Sequence, residues 1–173
     1  NDTSFFLPPE KRNRLTADPV NPNFSVQTGE AELKGIELEG AFRLAGFDIN
    51  AAGNIADTEV TESNNPAELG RPLEGAAEKQ AAVFVSRAFQ VADETTLRLG
   101  GGVRYIGETW SGDIRTPGYT LADLYAAVDW RDWVFQLNAN NVTDKVYYST
   151  CLARGDCFLG VRRTVNFSVT RSF

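Results

Sequence analysis

The chain has 173 residues, 42% hydrophobic and 23% charged, which suits a single domain and fits a water-soluble fold and a β-barrel equally well. It has no histidine and two cysteines, which excludes histidine-dependent hydrolysis, histidine-ligated zinc or haem, and a zinc centre built from cysteine alone. Seventeen Lys and Arg against 23 Asp and Glu give a net charge of -6, the wrong sign for a protein that binds nucleic acid by neutralising phosphates. No apolar run approaches the roughly 18 residues that a membrane-spanning helix needs. Methionine is absent even at position 1 and no signal-peptide pattern is visible, so the chain is expected to have lost a leader or to be a piece of a longer polypeptide.

Residues 1–28 are irregular: Pro8, Pro9, Pro19 and Pro22 interrupt any long strand, and only a short one is expected, over Arg12–Thr16. From there the side chains alternate with period 2, the signature of strands with unlike faces. Over 31–43, Ile36, Leu38 and Phe42 oppose Glu37, Glu39 and Arg43; over 45–57, Phe47, Ile49, Ala51 and Ile55 oppose Asp48, Asn50 and Asn54. Residues 79–90 place Val83, Val85 and Phe89 on one side, but Phe84 leaves the facing of this strand ambiguous. Over 94–107, Leu97, Leu99, Gly101, Val103 and Tyr105 oppose Arg98 and Arg104; over 118–130, Ala122, Leu124, Ala126, Val128 and Trp130 oppose Asp123, Tyr125 and Asp129. Trp133, Phe135, Leu137 and Ala139 alternate with Val134, Gln136, Asn138 and Asn140 over 132–143. In the final strand Val165, Phe167, Val169 and Phe173 interleave with Asn166, Ser168, Thr170 and Ser172.

The connections alternate short and long: Leu44, 58–78, 91–93, 108–117, Arg131, then 144–160. In an antiparallel sheet successive turns fall at opposite ends, so one end carries tight turns and the other long polar loops. The fold class expected is therefore all-β: an antiparallel transmembrane β-barrel segment with short periplasmic turns and long extracellular loops, its greasy face toward lipid and its polar face toward a wet lumen. Strands of about 12 residues are long for a soluble sheet and suit a tilted bilayer crossing. Trp130, Trp133, Phe89 and Phe173 fall near the short turns, at the level of the inner headgroups. A soluble barrel of lipocalin type would read the same inside out, and a self-contained eight-stranded adhesin or anchor would need residues 1–28 to supply a closing strand.

Cys151 and Cys157 are too widely spaced for a CxxC redox pair and too isolated for a metal cluster; they read as a small looped disulfide of an oxidising compartment, with two reduced thiols as the other reading. Glu37 and Glu39 are same-face strand neighbours without a partner motif, so they read as solvated lumen charges and not as a general acid and base. Gly100-Gly101-Gly102 lacks the GK[ST] and the following helix of a phosphate loop and reads as a place where a neighbour approaches closely. No catalytic residue, resident metal or cofactor is expected.

Several stretches in this order resemble the carboxy-terminal part of TonB-dependent outer-membrane receptors, especially those for ferric siderophores. They are Leu15-Thr16-Ala17-Asp18-Pro19, Val26-Gln27-Thr28-Gly29-Glu30 with Gly35-Ile36-Glu37-Leu38-Glu39, Gly102-Val103-Arg104-Tyr105-Ile106-Gly107, Pro117-Gly118-Tyr119-Thr120-Leu121-Ala122-Asp123, and Asn138 to Tyr147. The cysteine pair and the closing strand Val161–Phe173 complete the likeness, whose terminal Phe173 resembles the signal read by the barrel assembly machinery. The resemblance implies seven or eight strands of a barrel of about 22, with the plug domain absent from residues 1–173. It further implies a Gram-negative outer membrane, TonB acting through an absent amino-terminal region, and a ferric siderophore or similar large solute as cargo. Candidate ligand contacts at the outer rim are Tyr105, Trp110, Arg115, Tyr119, Tyr147, Tyr148 and Arg154, suited to an anionic aromatic chelate by stacking and charge; the competing reading of each ring is an interfacial girdle residue. The lumen charges Glu37, Glu39, Asp48, Asp123, Asp129, Arg43, Arg98 and Arg104 would meet a plug or neutralise one another.

Overall fold

The computed structural model describes residues 3–21 and 23–172. The described residues form twelve strands: β1 (Thr3–Ala17), β2 (Ser25–Leu44), β3 (Phe47–Glu62), β4 (Lys79–Ala92), β5 (Thr95–Ile106), β6 (Thr109–Ser111), β7 (Ile114–Thr116), β8 (Tyr119–Trp130), β9 (Trp133–Asn140), β10 (Tyr148–Cys151), β11 (Cys157–Leu159) and β12 (Thr164–Arg171). Eight of them form one antiparallel sheet in the order β1-β2-β3-β4-β5-β8-β9-β12, while β6-β7 and β10-β11 are small hairpins inside two of the long loops. The sheet is open. β1 and β12 each have one neighbour, which removes the self-contained eight-stranded barrel: the extra strand exists, but it does not close onto β12.

The amino-terminal region differs from the sequence expectation, since β1 is a 15-residue strand and not a short one over 12–16. Its register against β2 shifts between Leu7 and Glu10, so Pro8 and Pro9 sit in a bulge, where the ladder is already interrupted and a missing N–H is tolerated. β2 and β3 also extend further than the alternation suggested, to Ser25 and Glu62: above the apolar band β3 pairs with β2 as far as Glu30, and the start of β2 pairs with the end of β1. The final strand begins at Thr164; residues 161–163 belong to the preceding loop, and Phe173 lies outside the described residues.

Register resolves the faces. Residues directly opposite share a side, and the pairs Ile36↔Ile55, Phe42↔Ile49, Ile49↔Val85, Val83↔Val103, Leu97↔Val128, Ala126↔Leu137 and Leu137↔Phe167 join the apolar stripes into one continuous surface. It is exposed, with Ile36 at 57% and Phe167 at 65%. Buried side chains of the sheet such as Ala31, Thr58, Val60, Leu121 and Ala127 stand on the opposite, polar face; Leu121 is 1% exposed. A soluble barrel requires the reverse. Along β3 the apolar stripe covers positions 47–55, about 26 Å at ~3.3 Å per residue, and is followed on the same side by Asp57 and Glu59. A strand tilted by about 45° crosses a bilayer in roughly 9–11 residues, and the stripe over 47–55, bounded by acidic residues, is of that length.

Phe84, which obscured the facing of β4, lies on the polar side. A Cβ on Gly102 would stand 2.5 Å from the Val83 carbonyl and 2.8 Å from the Phe84 ring, so this glycine makes room for the ring across the strand pair. At the short-turn end Trp130 and Trp133 pair directly, and arginines cover the lower rim: Arg131 over Trp130, Arg171 over Trp133, and Arg87 over both Phe47 and Phe89. Such amphipathic stems with aromatic partners suit a headgroup layer.

Candidate functional site

The strand directions gather the long connections at one end, opposite the tight turns at Ala45-Gly46, Asp93-Glu94 and Arg131-Asp132. There they are tied to one another. Thr16 Oγ1 and Ser63 Oγ lie 3.0 Å apart and the Asn64 N–H donates to Thr16 Oγ1, fastening the 63–78 loop to the top of β1. The same loop meets the β6-β7 hairpin through Gly75 N–H to the Trp110 carbonyl at 2.9 Å, Gly112 N–H to Glu74 Oε1 at 3.1 Å, and Arg71 to Asp113 at 2.8 Å. That hairpin in turn touches the third loop, where a Cβ on Gly112 would lie 3.1 Å from Ala153 Cβ. A Cys151–Cys157 disulfide closes the β10-β11 hairpin, which settles the question the cysteine spacing left open.

Beneath these loops one polar node joins three of the sequence stretches singled out above. Asp123 Oδ2 lies 3.0 Å from Arg104 Nε, and Asp123 Oδ1 accepts the Asn141 N–H at 2.8 Å. Asn141 is 1% exposed with a left-handed φ of 50°, a conformation asparagine tolerates better than most residues. Its Nδ2 donates to the carbonyls of Lys145 (2.9 Å) and Val161 (3.2 Å), and its Oδ1 accepts the Lys145 N–H at 2.9 Å. One side chain thus fixes both ends of the 141–163 loop. Nearby, Arg162 grips Asp144 with Nε at 2.9 Å and a second nitrogen at 2.5 Å, while the Arg163 N–H adds a bond at 3.0 Å. The Arg162 guanidinium first, and the Arg163 N–H second, hold the Asp144 carboxyl well below the usual carboxylate range.

The candidate rim residues separate. Tyr105 stands on the apolar face, opposite Ala81 and Thr120, in a girdle position. Tyr119 and Tyr147 pack against each other with ring planes tilted by 36° and centroids 4.2 Å apart, and the Tyr147 ring occupies the space a Cβ on Gly160 would need. Arg115 is paired with Glu108, Arg154 with Asp156, and Tyr148 is exposed on β10. Trp110 borders a cavity of about 520 Å³ on the polar side of the sheet, together with Arg14, Glu68, Arg71 and Glu74. Those four partners carried no local signal, because the fold of the 63–78 loop brings them together. Lower on the polar face Arg43–Asp48 (2.6 Å) and Arg98–Asp129 (2.7 Å) join Arg104–Asp123 as cross-strand ion pairs, so six of the eight expected lumen charges neutralise one another.

A lipid-facing apolar sheet with tight turns at one end and interlocked polar loops at the other defines a wall segment of an outer-membrane-type β-barrel. Residues 10–142 match the family model for the TonB dependent receptor-like β-barrel, and the chain belongs to that family. Membership puts it in the outer membrane of a Gram-negative bacterium. It is similar to the Ferrioxamine B receptor of Salmonella typhimurium, with 32% identity over 165 residues covering 90% of this chain and 23% of that protein. It is similar also to the Ferrichrome outer membrane transporter/phage receptor of Escherichia coli, with 27% identity covering 94% of this chain and 23% of that protein. These relatives are transport receptors and not enzymes, and the chain spans about a quarter of their length. Among solved structures, the ferric preacinetobactin receptor BauA of Acinetobacter baumannii superposes with a TM-score of 0.78 at 23% identity over 93% of this chain and 26% of that one, a likeness of fold.

Proposed function

We propose that the chain forms the carboxy-terminal part of the barrel of a receptor that takes up a ferric siderophore, or a similar large and scarce solute, on energy relayed by TonB. No bond of the solute is made or broken. The observation that carries this reading is the joint placement of a bilayer-matched apolar face and a tied set of polar loops over the opposite face. A route for a solute needs both. The named roles of the relatives support iron chelates as the cargo. Further strands of the same polypeptide would pair with the free edges of β1 and β12, since unsatisfied backbone groups in lipid are worth several kcal/mol each. A plug domain with a TonB-binding box would supply the coupling, and the barrel assembly machinery would insert the product. Of the rim side chains, Trp110 is the proposed ligand contact because it borders the polar-face cavity.

The test is uptake of radio-iron chelates by cells carrying the full-length gene or the same gene without its TonB box. Loss of uptake with retained surface binding is the expected result; active uptake by the deletion would overturn the assignment.

A further inference from the structure

We infer that the Trp110 cavity receives a cationic end, such as a primary ammonium, of the iron chelate. This rests on the uptake reading above and adds the charge that the receptor selects. The cavity opens on the polar face: Arg14 lies opposite Gly29, and Val60 opposite Ala31, on the side of the lumen charges. At about 520 Å³ it holds part of a chelate and not merely a water or an ion.

Its charge is the informative feature. Two arginines and three carboxylates line it, and both arginines are already engaged: Arg14 with Glu68 at 2.9 Å and Arg71 with Asp113 at 2.8 Å. An incoming anion would meet arginines whose charge a carboxylate already matches. The remaining carboxylate, Glu74, accepts the Gly112 N–H at 3.1 Å and forms no ion pair among the described residues. Trp110, whose indole is the aromatic ring that attracts a cation best, lines the same cavity. A carboxylate outside any ion pair among the described residues and a tryptophan on one cavity suit a monocation. The expectation of an anionic aromatic ligand, drawn from the arginines and rings of the sequence, meets arginines that are already neutralised.

The experiment uses the full-length receptor in detergent and two probes that differ by one charge: a linear ferric trihydroxamate with a free terminal amine, and the same chelate with that amine acetylated. The free-amine chelate is expected to bind about tenfold more tightly, and Glu74→Gln, which retains the acceptor for Gly112 but loses the charge, is expected to abolish that ratio. Trp110→Leu should reduce the ratio in the same direction. Equal affinity of the two chelates for the native receptor, or a ratio unchanged in Glu74→Gln, would overturn the inference while leaving the uptake reading standing. Binding of neither chelate, nor of a ferric tris-catecholate used as a third probe, would instead overturn the uptake reading and the inference with it.

Discussion

Asn141 shows how much of the rim rests on single side chains. It is buried, its backbone takes a left-handed conformation, and its amide satisfies backbone groups at 145 and 161 while its N–H reaches Asp123. Asn141→Ala strands those groups and removes the residue best suited to the backbone, a loss of about 1–3 kcal/mol. In denaturant unfolding of the purified receptor the midpoint should fall accordingly; an unchanged midpoint would show that the loop is anchored elsewhere. Asp144 supplies a prediction about pH. Its carboxyl is depressed when folded, so its contribution is fully present above the ordinary value of about 3.9 and is lost only as pH falls toward the folded value. Limited proteolysis of the 141–163 loop should therefore be constant between pH 8 and pH 5, whereas Asp144→Asn should be cut faster at neutral pH; a native cleavage rate that climbs steadily from pH 8 to pH 5 would count against the Arg162 grip. The Asn-Val-Thr-Asp run is legible in the sequence only as a piece of the family resemblance: the alternation carries the strand to residue 143, whereas β9 ends at Asn140, and the Asn141 partner Val161 lies 20 residues on, beyond any local pattern.

At the scale of strands, alternation carried the reading because a period of 2 is set by backbone geometry and cannot be hidden by loops. It gave the facing of β2, β3, β5, β8, β9 and β12. It failed at β1, where prolines that argue against a regular strand are tolerated in a bulge, and it stalled at β4, where Phe84 takes a polar-face site that Gly100 and Gly102 leave open. Neither exception is local: one depends on the register against the neighbouring strand, the other on a glycine 18 positions away. Phe167 and Ser168 offer the sharpest contrast within one strand. Phe167 lies midway along the exposed apolar stripe of β12, so Phe167→Arg places a charge near the bilayer midplane, at a penalty of about 2–4 kcal/mol. Ser168→Arg adds the same charge on the polar side. The first should lose most of the heat-modifiable folded band in outer-membrane fractions and the second should retain it; equal yields would mean that β12 does not face lipid.

For the molecule as a whole, what the sequence could not supply is the arrangement of the long loops. The 63–78 loop and the β6-β7 hairpin hold each other through hydrogen bonds and an ion pair between residues 35 to 42 positions apart, and the disulfide-closed β10-β11 hairpin packs against the second of them, so the cavity beside Trp110 exists only once the first two are placed. The open sheet beneath them makes sense in one setting, with its apolar surface against acyl chains and its polar surface toward water. The most direct measurement is the accessibility of single nitroxide labels at positions 165 to 170 in the full receptor reconstituted in bilayers, using oxygen as the lipid-soluble relaxant and a nickel chelate as the water-soluble one. Labels at 165, 167 and 169 should respond to oxygen and those at 166, 168 and 170 to the nickel chelate. The opposite alternation would turn the sheet inside out and contradict the account.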